Sequence, residues 1–134
     1  MNPKLVIIID DDPINNKICS IYLKKTGIAD EIKCFLNGKE GLDFLNSQFN
    51  PEDYLNVIVF LDLNMPIMNG WEFLEEYEKL PQNYKNKIDL YILSSSIDER
   101  DIIKSRENKS VIDFISKPFT SEILSSIKEK YKFE

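Results

Sequence analysis

Strand-like and helix-like segments alternate along the whole chain, and this alternation limits the fold more than any other feature. Apolar or alternating runs predict strands at 5–9, 31–35, 57–61, 89–93 and 111–115. A segment with apolar residues at helical spacing follows each run. Alternating strands and helices build parallel sheets that are covered by helices. We therefore predict one α/β domain of the form (βα)₅.

The pattern of polar residues within the strands predicts their order. Runs 5–9 and 57–61 are wholly apolar and run 89–93 is nearly so, which is typical of strands covered on both faces. Runs 31–35 and 111–115 alternate between apolar and polar residues, which suits edge strands. Right-handed crossovers with helices on both faces then favour a doubly wound parallel sheet of order 2-1-3-4-5, a flavodoxin-like topology.

Local signals mark where the helices begin and end. Asp12 is predicted to cap the first helix, with Pro13 in its first turn and Gly27 at its end. The apolar residues on one face of this helix are Ile14, Ile18, Ile21 and Tyr22. Capping-box spacing marks the starts of the next three helices at Asn37, Asn69 and Ser96, each three residues before a Glu. The third helix is predicted to end by Pro81.

Composition excludes several classes of function. The chain has 134 residues, of which 17 are basic and 23 acidic, so its net charge is −6. A nucleic-acid surface needs clustered Lys and Arg, which this balance argues against. The apolar runs are far shorter than the roughly 20 residues of a membrane span, and no signal-peptide pattern opens the chain. We expect a cytoplasmic protein, with one domain over residues 1–134 and no output domain.

Few residue types are available for reactive chemistry. Cys19 and Cys34 fall in apolar periodic segments, and we expect both to be buried thiols in a reducing compartment. The chain contains no histidine. This excludes Ser/His/Asp and Cys/His nucleophile systems and imidazole metal sites within these residues. Any reactivity must therefore depend on carboxylates, hydroxyls and lysines.

Polar side chains gather at the carboxyl ends of the predicted strands. The first strand is followed by Asp10 and Asp11, and the third by Asp62. The fourth strand is followed by Ser94, and Lys117 comes just after the fifth. Open parallel sheets bind their ligands at these strand ends, where the direction of winding reverses. We therefore expect all five side chains at one edge of the sheet.

Three carboxylates at one edge repel one another unless a cation neutralises them. Mg²⁺, a hard ion that prefers oxygen ligands, suits a small carboxylate site that also binds phosphate. Lys117 would add a second positive charge, and the Ser94 hydroxyl could donate to a phosphoryl oxygen. The set predicts a phosphoryl-transfer site in which Asp62 is the covalent acceptor. Taken singly, an Asp after an apolar strand, such as Asp62, is more often a turn residue than a nucleophile, and Ser94 could serve only backbone groups.

Four motifs resemble the receiver domain of two-component response regulators. They are VIIIDDD at 6–12, LDLNMP at 61–66 with MNG at 68–70, LSS at 93–95 and SKPF at 116–119. The motifs occur in the order found in that family, and the resemblance covers essentially the whole chain. It implies a stand-alone, chemotaxis-regulator-like receiver that acts in phosphorelay signal transduction.

The resemblance implies roles for the acidic residues. Asp62 would be the phosphoacceptor, and Asp10 and Asp11 would be the acid pair. Asp11 and Asp62 would ligate Mg²⁺ directly, together with the backbone carbonyl of Asn64. The metal site would thus comprise Asp10, Asp11, Asp62 and Asn64.

The resemblance also implies roles for the residues that respond to phosphorylation. Ser94 would be the switch hydroxyl and Lys117 would bind the phosphoryl group. Phe114 would take the place of the switch aromatic, although a Phe on an edge strand, taken singly, is more often a core or half-exposed packing residue than a moving part. Because Phe114 lacks a hydroxyl, such a switch would work by packing alone. The Lys117–Pro118 peptide bond would be cis.

The partners implied by the resemblance are proteins. The phosphoryl donor would be a sensor histidine kinase or a phosphotransfer protein, because the chain has no histidine of its own. A downstream protein would contact the face formed by the predicted helix 4, strand 5 and helix 5. The protein would be a switch that catalyses only its own phosphorylation and dephosphorylation, and no enzyme in any further sense.

Other classes of protein fit the motifs less well. A haloacid-dehalogenase-type aspartyl-phosphate hydrolase also places an Asp after a central strand beside Mg²⁺, but it has a second Asp two residues later, where Asn64 stands here. A flavin carrier would need a loop rich in Ser, Thr and Gly where the acidic residues stand. An EF-hand would need glycine and ligand spacings that the acidic run lacks. The hydrolase is therefore the main alternative.

Overall fold

The computed structural model describes residues 2–131, and its central element is a five-stranded, all-parallel sheet. The strand order is β2-β1-β3-β4-β5, which confirms the predicted order. Each strand lies within one residue of its predicted bounds. The strands are β1 (Lys4–Ile9), β2 (Glu31–Phe35), β3 (Asn56–Leu61), β4 (Ile88–Ser94) and β5 (Val111–Ser116).

Helices connect the strands, with one more than the sequence predicted. They are α1 (Pro13–Lys25), α2 (Gly38–Ser47), α3 (Gly70–Tyr77), α4 (Gln82–Lys87), α5 (Glu99–Glu107) and α6 (Ser121–Lys130), with a 3₁₀ turn at Pro51–Asp53. The prediction missed α4 because this short helix buries none of its residues and therefore has no apolar periodicity. The predicted helices 4 and 5 are consequently α5 and α6.

Alternate residues of the central strands form two cores, one on each face of the sheet. Ile7 and Val59 belong to the core that α2 and α3 cover. Ile8 and Phe60 belong to the other core, to which α1 and α6 contribute. The central strands are therefore covered on both faces, whereas β2 and β5 at the edges are only partly buried, as their alternating sequences predict.

The apolar stripe of α1 does not face the sheet. The helix packs on the sheet through Asn16, Cys19 and Leu23, which are buried. The apolar stripe found in the sequence is exposed, and its members are Ile14, Ile18, Ile21 and Tyr22. Both sets have helical spacing, so periodicity alone could not choose between them. A hydrogen bond of 2.9 Å from Asn16 Nδ2 to the Asp10 carbonyl helps to fix the rotation of the helix.

Most predicted helix boundaries are confirmed. Asp12 caps α1, and Asn69 and Glu72 form a complete capping box at α3. The predicted cap at Ser96 is wrong, because Asp98 caps α5 by accepting from the backbone N–H of Arg100. Asp98 is itself a good capping residue two positions later, which shortens the helix at its start.

The two cysteines differ in burial. Cys19 is buried, as predicted, but the prediction for Cys34 is wrong because its thiol is exposed on the edge strand β2. None of the helices within residues 2–131 combines the length and the apolar character that crossing a membrane requires.

Candidate functional site

The parallel pairing of β1 and β3 brings the acidic residues together. Asp10 and Asp62 each follow the last residue of their strand, and the Asp62 N–H donates to the Ile9 carbonyl at 2.9 Å. Carboxylate oxygens of Asp10, Asp11 and Asp62 all lie within 4.8 Å of one another. The two strand ends therefore form one acidic cluster, at the edge that the sequence predicted.

Asp10 is the most buried carboxylate of the cluster, with 2% of its surface exposed. Lys117 Nζ lies 2.6 Å from its Oδ2, and Asn15 Nδ2 donates to the same oxygen at 3.0 Å. The backbone N–H of Asp12 donates to its Oδ1 at 3.0 Å. Both oxygens of Asp10 are therefore engaged by donors at close range.

Asp62 is almost as buried, with 6% exposed, but it has weaker partners. The Leu63 N–H donates to Oδ1 at 2.8 Å, while Lys117 Nζ lies 3.5 Å from Oδ2. Burial, and then the negative charge of Asp10, raise the pKa of the Asp62 carboxyl above its ordinary value. Lys117, the Leu63 N–H and the Ser94 hydroxyl oppose this rise without cancelling it.

Lys117 is the cation that serves both buried carboxylates. Burial lowers the pKa of its ammonium group, but the hydrogen bond and charge of Asp10 and the charge of Asp62 outweigh it, so the pKa is raised. The backbone N–H of Lys117 donates to the Ser94 carbonyl at 3.0 Å, which holds it beside the end of β4. The Lys117–Pro118 peptide bond is cis, as expected from the resemblance.

The mouth of the cluster is formed by exposed residues. Asp11 is exposed beside the two buried carboxylates, and Asn64 is exposed two residues after Asp62. Gly70 at the start of α3 sits against the same loop, where an added Cβ would lie 2.5 Å from the Asp62 carbonyl oxygen. This close approach requires glycine, and it lets α3 begin directly beside the cluster.

Ser94 lies at the inner wall of the site. Its side chain is fully buried at the end of β4, and its Oγ accepts from the Ser96 N–H at 3.2 Å. The Ser96 hydroxyl in turn donates to Asp101 Oδ2 at 2.6 Å. The loop after β4 is thus held by a chain of hydrogen bonds that leads away from Asp62.

Phe114 lies apart from the cluster, on the edge strand β5. It is half-buried and packs against the core on the α2 and α3 side of the sheet. Beside it lies a cavity of about 140 Å³, whose other lining residues include Ser105 and Arg106 of α5. The structure therefore brings the predicted residues together at the strand ends and leaves Phe114 outside that group.

Two residues of the site were missed by the sequence analysis. Asn15 and Asn16, in the first turn of α1, donate to the carboxylate and to the backbone carbonyl of Asp10, respectively. Their signal in the sequence is two adjacent amides one helical turn after an acidic strand end. An amide there can hold a buried carboxylate in place, because it donates without adding charge.

Comparison with known proteins gives the family. The family model of the response regulator receiver domain matches residues 6–128. The chain therefore belongs to the receiver domain family of two-component response regulators. Proteins of this family are phosphoacceptor switches that typically bind Mg²⁺ in an acidic pocket and interact with histidine kinases or phosphotransfer proteins.

Solved structures of this family share the fold over nearly their full length. A response regulator receiver protein from Dyadobacter fermentans is 29% identical, with a TM-score of 0.83 over 96% of this chain and 97% of that one. A two-component response regulator from Cytophaga hutchinsonii is 30% identical, with a TM-score of 0.79 over 97% of each chain.

The relatives of this chain differ greatly in length. Response regulator Rcp1 of Synechocystis is 28% identical over 106 residues, which cover 78% of this chain and 71% of Rcp1. The chain spans only 11% and 7% of two hybrid signal transduction histidine kinases of Dictyostelium discoideum. Receiver domains related to this one therefore occur both in short regulators and within long kinases.

Proposed function

We propose that residues 1–134 act as one receiver domain, in which Asp62 accepts a phosphoryl group from a phosphohistidine of a sensor histidine kinase or phosphotransfer protein. The observation that carries the proposal is the difference between the two buried carboxylates. Asp10 is held by three close donors, and Lys117 lies 2.6 Å from Asp10 Oδ2 but 3.5 Å from Asp62 Oδ2. Asp62 therefore has an oxygen that is available for attack.

The donor set fits Mg²⁺. Three carboxylates whose oxygens lie within 4.8 Å of one another supply hard ligands, and Lys117 alone leaves them with excess negative charge. We propose that Asp11, Asp62 and the backbone carbonyl of Asn64 would ligate the ion directly. Asp10 would add negative charge to the site without contacting the ion directly. When bound, the ion would neutralise charge on the carboxylates and on the transferred phosphoryl group.

The chain's own residues account for the transfer step. An Asp62 carboxylate oxygen attacks the phosphorus, the P–N bond to the donor imidazole breaks, and the imidazole nitrogen takes the electron pair. An acyl phosphate forms on Asp62, and Lys117 can neutralise one of its oxygens. Ser94 then supplies a hydroxyl that can donate to another oxygen. Phe114 would respond to the resulting movement of the loop after β4 by repacking against α5.

The donor would dock on the exposed stripe of α1. Ile14, with 71% of its surface exposed, lies only three residues after Asp11. Together with Ile18 it forms an apolar surface directly beside the acidic cluster. These 134 residues contain no histidine, so the phosphohistidine must come from outside them. The stripe is the apolar surface of α1 that lies nearest to the acidic cluster. Burial of such a surface is the usual driving force of docking.

The downstream protein would bind elsewhere. We propose the face formed by α5, β5 and α6, where Ile112 is exposed on the edge strand and a groove of about 530 Å³ lies between β5 and α6.

The proposed location is the cytoplasm, whose reducing conditions suit the exposed and unpaired thiol of Cys34. The proposed action is that of a switch, with no substrate to turn over.

Labelling with acetyl phosphate tests the proposal. With Mg²⁺, the intact mass of the protein should increase by one phosphoryl group, and removal of the metal by EDTA should prevent this. Asp62→Asn should abolish the increase, while Asp53→Asn, which changes an exposed aspartate of the 3₁₀ turn, should leave it unchanged. Undiminished labelling of Asp62→Asn would refute the assignment. Sustained release of phosphate from many equivalents of a phosphate ester would favour the hydrolase instead.

A further inference from the structure

A carboxylate outside the acidic cluster links the loop after β4 to the start of α3. Asp101, in the first turn of α5, accepts from two side chains that come from different elements. The Ser96 hydroxyl donates to its Oδ2 at 2.6 Å, and Trp71 Nε1 donates to its Oδ1 at 3.3 Å. Ser96 belongs to the loop after β4, while Trp71 lies in the first turn of α3. Asp101 thus connects the loop that follows Ser94 to the helix that follows Asp62.

The contacts of Trp71 strengthen this link. Lys104, one turn after Asp101 on α5, places its Nζ 4.4 Å from the centre of the indole ring. This distance is within the range of a cation–π interaction. The indole is therefore held by α5 in two ways, through its N–H by Asp101 and through its ring by Lys104. Trp71 is also the only tryptophan in the chain.

The hydrogen bonds of Ser96 carry the link back to Ser94. The Ser96 hydroxyl donates to Asp101 and accepts from the Asp98 N–H at 3.3 Å, so both of its hydrogen-bonding roles are used. With Ser96 fixed in this way, its backbone N–H donates to Ser94 Oγ at 3.2 Å. A hydroxyl that accepts this N–H still has its own proton to donate. That proton is the one that Ser94 would offer to a phosphoryl group on Asp62.

We propose that Asp101 is a positioning residue for the phosphoryl chemistry at Asp62 and acts through Ser96 on the Ser94 hydroxyl. This inference rests on the proposed function of Asp62 as phosphoacceptor. Asp101 holds the loop after β4 in the position from which Ser94 can donate. Movement of Ser94 toward a phosphoryl group also displaces Ser96 and, through its hydroxyl, Asp101. Because Trp71 is hydrogen-bonded to Asp101, the environment of its indole changes when Asp62 is phosphorylated.

The first test compares rates of phosphorylation by acetyl phosphate with Mg²⁺, measured by intact mass on the full chain. Asp101→Asn keeps one acceptor oxygen and so can hold only one of the two donors, while Asp101→Ala holds neither. We expect Asp101→Ala to slow labelling about fivefold, because the variant loses part of the free energy of a hydrogen bond to a charged group. Asp101→Asn should slow labelling less. Glu99→Gln, which removes an exposed carboxylate two residues away, is the matched control and should leave the rate unchanged.

A second measurement separates positioning from simple stabilisation of α5. Ser96→Ala removes the hydroxyl that joins Asp101 to the loop and leaves Trp71 in contact with Asp101. If both residues act in one chain of hydrogen bonds, the rate of the double variant Ser96→Ala/Asp101→Ala should equal that of the slower single variant. Trp71 emission should change when beryllofluoride and Mg²⁺ are added to the wild-type protein, and Ser96→Ala should abolish this change.

The outcomes distinguish the inference from the function on which it rests. Failure of the wild-type protein to be labelled would refute the proposed function, and the inference with it. Normal labelling with an Asp101→Ala rate equal to that of Glu99→Gln would overturn the inference alone, as would additive effects in the double variant. If Asp101→Ala does not fold, Ser96→Ala decides the question, because a wild-type rate and a wild-type emission change in that variant would also overturn the inference.

Discussion

Asp10 and Asp62 occupy equivalent positions at the ends of two neighbouring strands, yet their surroundings differ. Asp10 has Lys117 at 2.6 Å and two further donors at 3.0 Å. Asp62 has one backbone donor at 2.8 Å, and the same lysine stands 3.5 Å away. Burial and the charge of Asp10 raise the pKa of the Asp62 carboxyl above its ordinary value.

The difference shows how two aspartates at one sheet edge can have different properties, one held firmly by donors and the other more reactive. A carboxylate that is saturated with donors is held in place and is a poor nucleophile, because each hydrogen bond stabilises its charge. A buried carboxylate with a weakly held oxygen is less stable in its ionised form, and either a cation or a covalent bond to phosphorus relieves it. On the proposed function, Asp10 is therefore the supporting carboxylate and Asp62 the reactive one.

Removal of Lys117 should have the largest effect, because both buried carboxylates depend on it. We expect Lys117→Met to lower the free energy of unfolding by about 3 kcal/mol in EDTA, since it leaves buried charge without a partner. Added Mg²⁺ should restore part of the loss by replacing the missing positive charge. Urea unfolding followed by circular dichroism, with and without Mg²⁺, measures both effects.

The control for this prediction is Lys128→Met, which removes an exposed lysine of α6. It should change the stability by less than about 0.5 kcal/mol. Equal effects of the two substitutions would show that Lys117 does not compensate the buried charges.

Removal of the two carboxylates should have opposite effects. Asp10→Asn should lower the free energy of unfolding by about 2 kcal/mol in EDTA, because it breaks hydrogen bonds to a charged group. Asp62→Asn should raise it by about 1 kcal/mol, because it removes a like charge from beside Asp10. The same urea titrations measure both values. Losses of similar size in the two variants would contradict the division of tasks.

The pH dependence of Asp62→Asn sharpens this prediction. Because the pKa of Asp62 is raised in the folded state, its ionised form costs stability above that pKa. Below the ordinary value of 3.8 the carboxyl is protonated in both the folded and unfolded chains, and the cost disappears. The advantage of Asp62→Asn over the wild type should therefore be largest near neutral pH and fade as the pH falls. An advantage that does not depend on pH would show that charge is not its cause.

Asp11 should give the smallest effect on stability. Repulsion among three carboxylates would make Asp11→Asn stabilising in the metal-free protein, but the structure places Asp11 at the exposed mouth of the cluster. Water screens its charge there, so the change should be below about 0.5 kcal/mol. Mg²⁺ affinity, measured by calorimetry, should fall nevertheless. A large change in metal-free stability would mean that Asp11 has a structural role.

The sheet could be predicted from the sequence because each strand carries its own signal. Wholly apolar runs mark the central strands and alternating runs mark β2 and β5, and this pattern together with right-handed crossovers predicted the order. The helices were less well predicted. The face of α1 depends on whether Asn16 or Ile14 points to the sheet, and periodicity does not show the hydrogen bond from Asn16 to the Asp10 carbonyl that helps to fix it. The helix α4 has no buried residue and thus no pattern to detect.

The acidic cluster could also be predicted, because parallel strands bring their carboxyl ends to one edge. What the sequence could not show is how donors are shared among its members. Lys117 Nζ lies 2.6 Å from Asp10 Oδ2 and 3.5 Å from Asp62 Oδ2, and the proposed division of tasks depends on this difference of less than 1 Å. The link from Ser96 through Asp101 to Trp71 was likewise hidden, since it joins residues of three segments through side chains alone.

Localisation of the phosphoryl group tests the central claim most directly. After incubation with acetyl phosphate and Mg²⁺, treatment with sodium borohydride reduces an aspartyl phosphate to homoserine, which marks the modified residue in a peptide map. The account predicts homoserine at position 62 and unmodified aspartate at Asp10 and Asp11. Homoserine at position 10 or 11 would contradict it. So would the absence of homoserine at all three positions in a protein whose mass shows one added phosphoryl group.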